Sequence, residues 1–168
     1  LNVLTVTSRP PLESIVGKKN LHKFVAKDFD HVHITTNSKS MRILNKLGLI
    51  YKGSPYYGWL VSIFSVCIRV AIQNNINLIF YGEDGEIEYG GSTKNKDTPL
   101  FDVNYIINNY FEGDFKKIIK DSRLTKEELF WYNLDGIEKN LLNKIKLTHW
   151  GYFEPWDSYR NYLLAKEK

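Results

Sequence analysis

Leu78-Ile79-Phe80-Tyr81-Gly82-Glu83-Asp84-Gly85-Glu86-Ile87-Glu88-Tyr89-Gly90-Gly91 is an apolar run that breaks into glycines and acids, and its reading decides the fold. The run is too short for a helix and suits a buried strand, while the glycines let the chain turn and a ligand approach closely. A buried strand ending in such a loop is where parallel α/β proteins carry their chemistry. Four carboxylates, Glu83, Asp84, Glu86 and Glu88, fall within six residues. Converging, they would hold a cation against a polyphosphate or divide acid and base roles between them.

Upstream of this strand the pattern alternates. Residues 1–7 read as a strand, Ser8-Arg9-Pro10-Pro11 as a turn, and the following stretch as a helix through about Lys27. Residues 29–35 are rich in β-branched side chains and read as a second strand, with Thr36-Asn37-Ser38 as a helix N-cap signal. Met41, Ile43, Leu44, Leu47 and Leu49 supply a helical apolar face up to Gly53. A longer helix over residues 57–74 is apolar nearly all round and is expected to lie buried beside the sheet. Three strand-helix alternations predict a parallel sheet with right-handed crossovers, its strand ends at Thr7-Ser8, Thr35-Thr36-Asn37 and Gly82-Glu83 clustered in space.

Downstream, residues 92–99 read as a polar loop, followed by helices near 102–111, 114–121, 125–133 and 136–146. Thr125 and Glu128 have capping-box spacing. Residues 147–153 are expected to return as a strand and 156–166 as a last helix. The chain thus divides into an α/β part, residues 1–91, and a mainly helical extension, residues 92–168, packed on the same domain.

The 168 residues suffice for one core, and an aromatic share of 14% suggests flat ligand surfaces or a bulky interior. The formal charge of +4 permits a polyanionic partner, but the lysines are scattered, which reads as a solvated surface rather than a nucleic-acid interface. Cys67 is the sole cysteine, so an internal disulfide and a multi-thiolate zinc site are excluded within these residues. The apolar stretch 59–72 is interrupted by Ser62, Ser65 and Arg69, no run has the length of a membrane span, and nothing reads as a signal peptide; a reducing cytoplasm is the expected compartment. The chain opens on a strand-like run and its one methionine is Met41, so the expectation is a fragment of something longer.

Three segments carry a resemblance: residues 30–39 (Asp-His-Val-His-Ile-Thr-Thr-Asn-Ser-Lys), residues 69–91 from Arg69 to Gly91, and residues 152–159 (Tyr-Phe-Glu-Pro-Trp-Asp-Ser-Tyr). Together they resemble the N-acetyl sugar amidotransferases, ATP-pyrophosphatase (PP-loop) enzymes of bacterial surface-sugar pathways, including the pseudaminic and legionaminic acid branch, flagellin glycosylation and O-antigen lipopolysaccharide assembly. The resemblance implies a Rossmann-like adenine nucleotide α-hydrolase fold that uses ATP and Mg2+ to activate an N-acetyl oxygen of a nucleotide-linked sugar. Ammonia from a separate glutaminase subunit would then displace AMP and leave an acetamidino group. The family's phosphate-gripping motif, Ser-Gly-Gly-x-Asp-Ser, is expected upstream of Leu1 and is absent from these residues, so the fragment alone is expected to be inactive.

On that resemblance Glu83, Glu86 and Glu88 become the catalytic acids, with Glu83 and Glu86 on Mg2+; the plain alternative is a solvated acidic turn. Thr7, Ser8, Thr35, Arg69 and Gly82 are expected to line the nucleotide pocket. Tyr89, Gly90 and Gly91 are expected on the sugar nucleotide, or else in a linker. Arg69, a charge in an apolar helix, either reaches a phosphate or pairs with a loop acid. Trp156 and Asp157 are substrate candidates, set against a hydrophobic plug in which Asp157 starts the last helix. His31 and His33 face one side of their strand, as a metal pair or in a hydrogen-bonded structural role, and no third ligand is evident. The competing functions are a PP-loop tRNA-modifying enzyme on the same fold and a non-catalytic binding or scaffold domain.

Overall fold

The computed structural model describes residues 2–27, 29–82 and 98–167. The acidic loop begins where that description stops, so Glu83, Asp84, Glu86, Glu88, Tyr89, Gly90 and Gly91 lie outside the described residues.

The protein is mixed α/β with small, mostly parallel sheets. Strand β1 (Leu4–Ser8) leads through helix α1 (Ile15–Val25) to β2 (Asp30–Ile34), and the two strands pair in parallel with Leu4 opposite Asp30 and Ser8 opposite Ile34. Ser14 starts α1 by accepting from the Gly17 amide, yet no residue of this helix is buried. Helix α2 (Ser38–Lys52) begins as its sequence signal predicts: the Asn37 side chain accepts from the Lys39 and Ser40 amides. It ends at Gly53, whose φ of 68° is the left-handed conformation that favours glycine at a helix C-terminus.

Helix α3 (Tyr57–Gln73) is the spine of the molecule, buried along most of its length as its all-round apolarity predicts. It crosses α2 closely because two glycines remove side chains at the contact. A Cβ on Gly58 would sit 2.8 Å from the Leu44 Cβ, and one on Gly48 would collide with Tyr57. Strand β3 (Leu78–Tyr81) follows α3 and turns Ile79 and Tyr81 inward, with Tyr81 edge-on to Phe64 of α3.

Among the described residues β1, β2 and β3 do not join in the expected single parallel sheet. Strand β3 pairs in parallel with β5 (Lys146–His149), which pairs antiparallel with the short β4 (Phe101–Asp102); β1 and β2 form a separate two-stranded sheet. Alternation of strands and helices predicts parallel pairing but not which strands are neighbours, and the partner of β3 comes from far along the chain. That pairing also carries a sheet across the division expected at residue 91.

The later helices are shorter than their apolar patterns suggest. The expected helix 102–111 is one α turn, α4 (Val103–Ile106), which widens into a π turn (Ile107–Phe111); α5 (Asp114–Ser122) follows. The capping box closes, with the Thr125 amide donating to Glu128 and the Glu128 amide donating to Thr125. Nevertheless residues 126–132 form turns rather than the expected helix 125–133, and the expected helix 136–146 shrinks to α6 (Lys139–Leu142). Arg69 holds the carbonyls of Asn133 and Asp135, and Gly136 has a φ of 78°, which fixes the break between the two segments. After β5, Trp150–Tyr152 forms a 3-10 turn rather than more strand, and α7 (Ser158–Glu167) is the last helix.

One apolar core joins α2, α3, β3, α4, α5 and β5, with Leu44, Tyr57, Phe64, Ile68, Ile106, Ile118, Ile145 and Leu147 nearly inaccessible. No single described helix is long and apolar enough to cross a membrane.

Candidate functional site

The parallel pairing of β1 and β2 puts Thr7 and Ser8 at the carboxyl end of one strand beside Thr35 and Thr36 just past the other, with Thr7 opposite His33. The Arg9 amide donates to the Ile34 carbonyl at 2.9 Å and extends the pairing one residue beyond the strands. Three of the expected nucleotide residues, Thr7, Ser8 and Thr35, are thus brought together at the start of α2, a usual ligand position in parallel α/β folds.

The surroundings of these strand ends are polar and largely committed. Ser8 is buried, its hydroxyl 3.0 Å from that of Ser62, which in turn donates to the Trp59 carbonyl. The Trp59 indole N–H donates to the Ser8 carbonyl at 3.3 Å. On the other side the Tyr132 hydroxyl donates to the Asn37 carbonyl at 3.0 Å, and burial, the larger influence, raises its pKa against a hydrogen bond with Thr36. Lys39 reaches Glu128 at 3.4 Å across the rim. Asn37 already occupies the Lys39 and Ser40 amides, so this helix start offers an anion few free donors.

Trp59, Ser62 and Tyr132 escape the sequence reading. Ser62 registers there only as an interruption in an apolar helix, although the Trp59-Ser62-Ser65 spacing of three residues places a polar stripe on one side of that helix. No local pattern marks Tyr132, which lies in a turn far along the chain.

Among the described residues Arg69 is held by backbone, and the loop acids of the expectation lie outside them. Its Nε and Nη2 donate to the Asn133 carbonyl at 3.2 and 3.1 Å, Nη2 also donates to the Asp135 carbonyl at 3.0 Å, and the guanidinium lies 4.1 Å from the centre of the Phe130 ring. Burial lowers its pKa, partly opposed by Asp135. Gly82 follows β3, and a Cβ there would meet nothing within 4 Å. Asp157 caps α7, accepting from the Tyr159 and Arg160 amides at 2.9 and 3.0 Å, as its structural alternative has it; Trp156 beside it is partly exposed.

His31 and His33 do share a side, their ring centres 6.3 Å apart, and His31 Nδ1 lies 2.8 Å from the Thr5 hydroxyl. Burial, then the charge of His33, lowers the His31 pKa. Among the described residues no group of three or more His, Cys, Asp or Glu side chains is placed to hold a metal ion. His149, which has no evident motif, is stacked between Tyr81 and Phe101 at centre distances of 5.2 and 5.4 Å. A cavity of about 310 Å³ lies elsewhere, between the π turn and α5, walled by Phe111, Phe115, Ile119 and Leu134.

No protein-family model matches the chain, and no curated protein matches it.

Proposed function

We propose that the chain is part of a PP-loop enzyme, a Rossmann-like α/β protein that activates the N-acetyl group of a nucleotide-linked sugar with ATP for amidation. The observation that carries this reading is the meeting of Thr7, Ser8 and Thr35 at the carboxyl ends of two parallel strands beside the start of α2. The segments that resemble the family supply the remainder of the argument.

ATP, when bound, supplies the adenylyl group that makes the sugar oxygen a leaving group. The residues present fit its nucleoside half: Thr7 and Thr35 offer hydroxyls at the strand ends, and the Trp59 indole anchors the Ser8 backbone beneath them. Because Asn37 occupies the first amides of α2, the pyrophosphate grip falls to other residues, in keeping with the Ser-Gly-Gly-x-Asp-Ser loop that the resemblance requires. Glu83, Glu86 and Glu88 are assigned to Mg2+ and the developing pyrophosphate, Tyr89, Gly90 and Gly91 to the sugar nucleotide, and Trp156 and Asp157 to a second rank of substrate residues. A cytoplasmic glutaminase partner delivers the ammonia.

The test is pyrophosphate release by the full-length protein given ATP, Mg2+, ammonia and a panel of nucleotide-linked N-acetyl sugars. Release that depends on one sugar and falls at least about a hundredfold in Glu83→Gln supports the reading. No release with any N-acetyl sugar sinks it.

A further inference from the structure

Helix α1 and the turn after it carry the whole of the chain's charge imbalance. The sequence holds 23 lysines and arginines against 19 aspartates and glutamates, and residues 15–27 contain Lys18, Lys19, Lys23 and Lys27 with no carboxylate, so the other 19 basic residues and the 19 acidic ones cancel. All four lysines are exposed, and among the described residues none of them is ion-paired. Of the nearest described carboxylates on either side, Glu13 is taken by Arg9 at 3.0 Å and Asp30 belongs to β2. The same surface is also apolar. Leu21 is the only residue of α1 that is not exposed, and it marks the inward side. With 3.6 residues per turn, Lys19 and Lys23 lie about 160° from Leu21, Val16 about 140° and Ile15 about 120°. The outward face thus presents two aliphatic side chains in its first turn and two lysines beyond them. Leu12, just ahead of the helix, and Ile15 are the most exposed large apolar residues described, at 81% and 77%.

We infer that this face of α1 rests on an anionic lipid surface, with Leu12, Ile15 and Val16 entering the headgroup boundary and Lys19 and Lys23 among the headgroups, flanked by Lys18 and Lys27. Charge complementarity calls for a polyanion, and the aliphatic residues select among polyanions. A nucleic acid presents phosphates and stacking bases, and gives exposed aliphatic side chains little to bury into. A bilayer interface takes up both kinds of group, the apolar side chains at the acyl boundary and the ammonium groups over the anionic headgroups. Two copies of the chain placed face to face on α1 would set like charges against each other. The association is peripheral: α1 has 11 residues, and no single described helix is long and apolar enough to cross a membrane. It needs neither ATP nor a sugar, so it stands or falls apart from the enzymatic reading.

Vesicle co-sedimentation of the full-length protein tests it. At about 0.1 M salt the protein is expected to bind phosphatidylcholine vesicles containing about 30% phosphatidylserine at least about twentyfold more tightly than phosphatidylcholine alone, and to lose that preference at about 0.5 M salt. Each lysine beside an anionic surface is worth about fivefold, so Lys19→Gln with Lys23→Gln should weaken binding about twentyfold. Ile15→Ser with Val16→Ser should weaken it at least about fivefold. Lys116→Gln with Lys117→Gln removes the same charge from α5 and should leave binding unchanged. No binding to the anionic vesicles, equal binding to both kinds, no effect of the α1 substitutions, or an equal loss from the α5 pair overturns the inference. Tighter binding of a DNA or RNA duplex at the same salt, undiminished by Ile15→Ser with Val16→Ser, assigns the patch to nucleic acid and overturns it as well.

Discussion

At the scale of single residues, several buried polar groups are spent on backbone, Ser62 on the Trp59 carbonyl and Ser65 on the Val61 carbonyl among them. Arg69 is the clearest case: it lies in an otherwise apolar helix, and its guanidinium donates to two carbonyls and lies against an aromatic ring, with the charge of Asp135 nearby. Hydrogen bonds to a charged group are worth about 1.5–3 kcal/mol, and losing them strands two carbonyls in the turn that Asn133 and Asp135 also brace through each other. Arg69→Met is therefore expected to lower the unfolding free energy by about 3 kcal/mol in urea titrations. Arg69→Lys should recover only part of it, because one ammonium cannot reproduce the planar fork. His31 offers a pH dependence. Its folded-state pKa is below the ordinary 6.5, so the unfolded chain binds its proton more readily. Its contribution is then fully present above about pH 6.5 and is lost as the pH falls below that value. Urea midpoints should drop from pH 7.5 to about 5.5, and by less in His31→Gln; equal drops would assign the titration to another group.

At the scale of elements, the crossing of α2 over α3 is set by glycine. Gly48→Ala places a methyl group against Tyr57, where overpacking costs about 1–3 kcal/mol and outweighs the roughly 1 kcal/mol that alanine gains in helix propensity. A chevron should show that loss, and Gly53→Ala, with open space around it but a φ of 68°, should lose stability through backbone strain instead. These elements also show what is legible in a sequence. Strands β1, β2 and β3 and helices α2 and α3 carry their own signals: period-two or short apolar runs, an Asn N-cap, a Gly C-cap and an unbroken apolar surface. Where tertiary contacts decide, the local signal fails. The capping box at Thr125 and Glu128 forms without the helix it normally begins, and the chain continues in turns to the Asn133 and Asp135 carbonyls that Arg69, more than fifty residues earlier, holds. The choice of β5 over β1 as neighbour of β3 is equally non-local. The candidate site divides the same way. Thr7, Ser8 and Thr35 follow from strand ends, whereas Trp59, Ser62 and Tyr132 reach those ends only through packing.

At the scale of the whole molecule, cohesion is uneven. The described core runs from α2 to β5 and contains no residue of β1, α1 or β2; α1 buries nothing, and Ile15, Val16, Phe24 and Val25 stand exposed along it. The β1-α1-β2 unit is joined to the rest chiefly through α3, at contacts such as Ser8 with Ser62 and Trp59. Opening that unit exposes little apolar surface, so it should unfold below the free energy that unfolds the core. Native-state hydrogen exchange is expected to show two tiers, with the Thr5 and Thr7 amides exchanging at a lower free energy than those of Ile79 and Val66. Leu147→Ala tells the tiers apart. Leu147 is wholly buried in β5, and its truncation should take about 2–5 kcal/mol from the core tier. The Thr5 and Thr7 amides should keep their exchange free energy until the core tier falls to meet it. A uniform drop at all these amides would mean one cooperative unit, and would place the weight of β1 and β2 in the core after all.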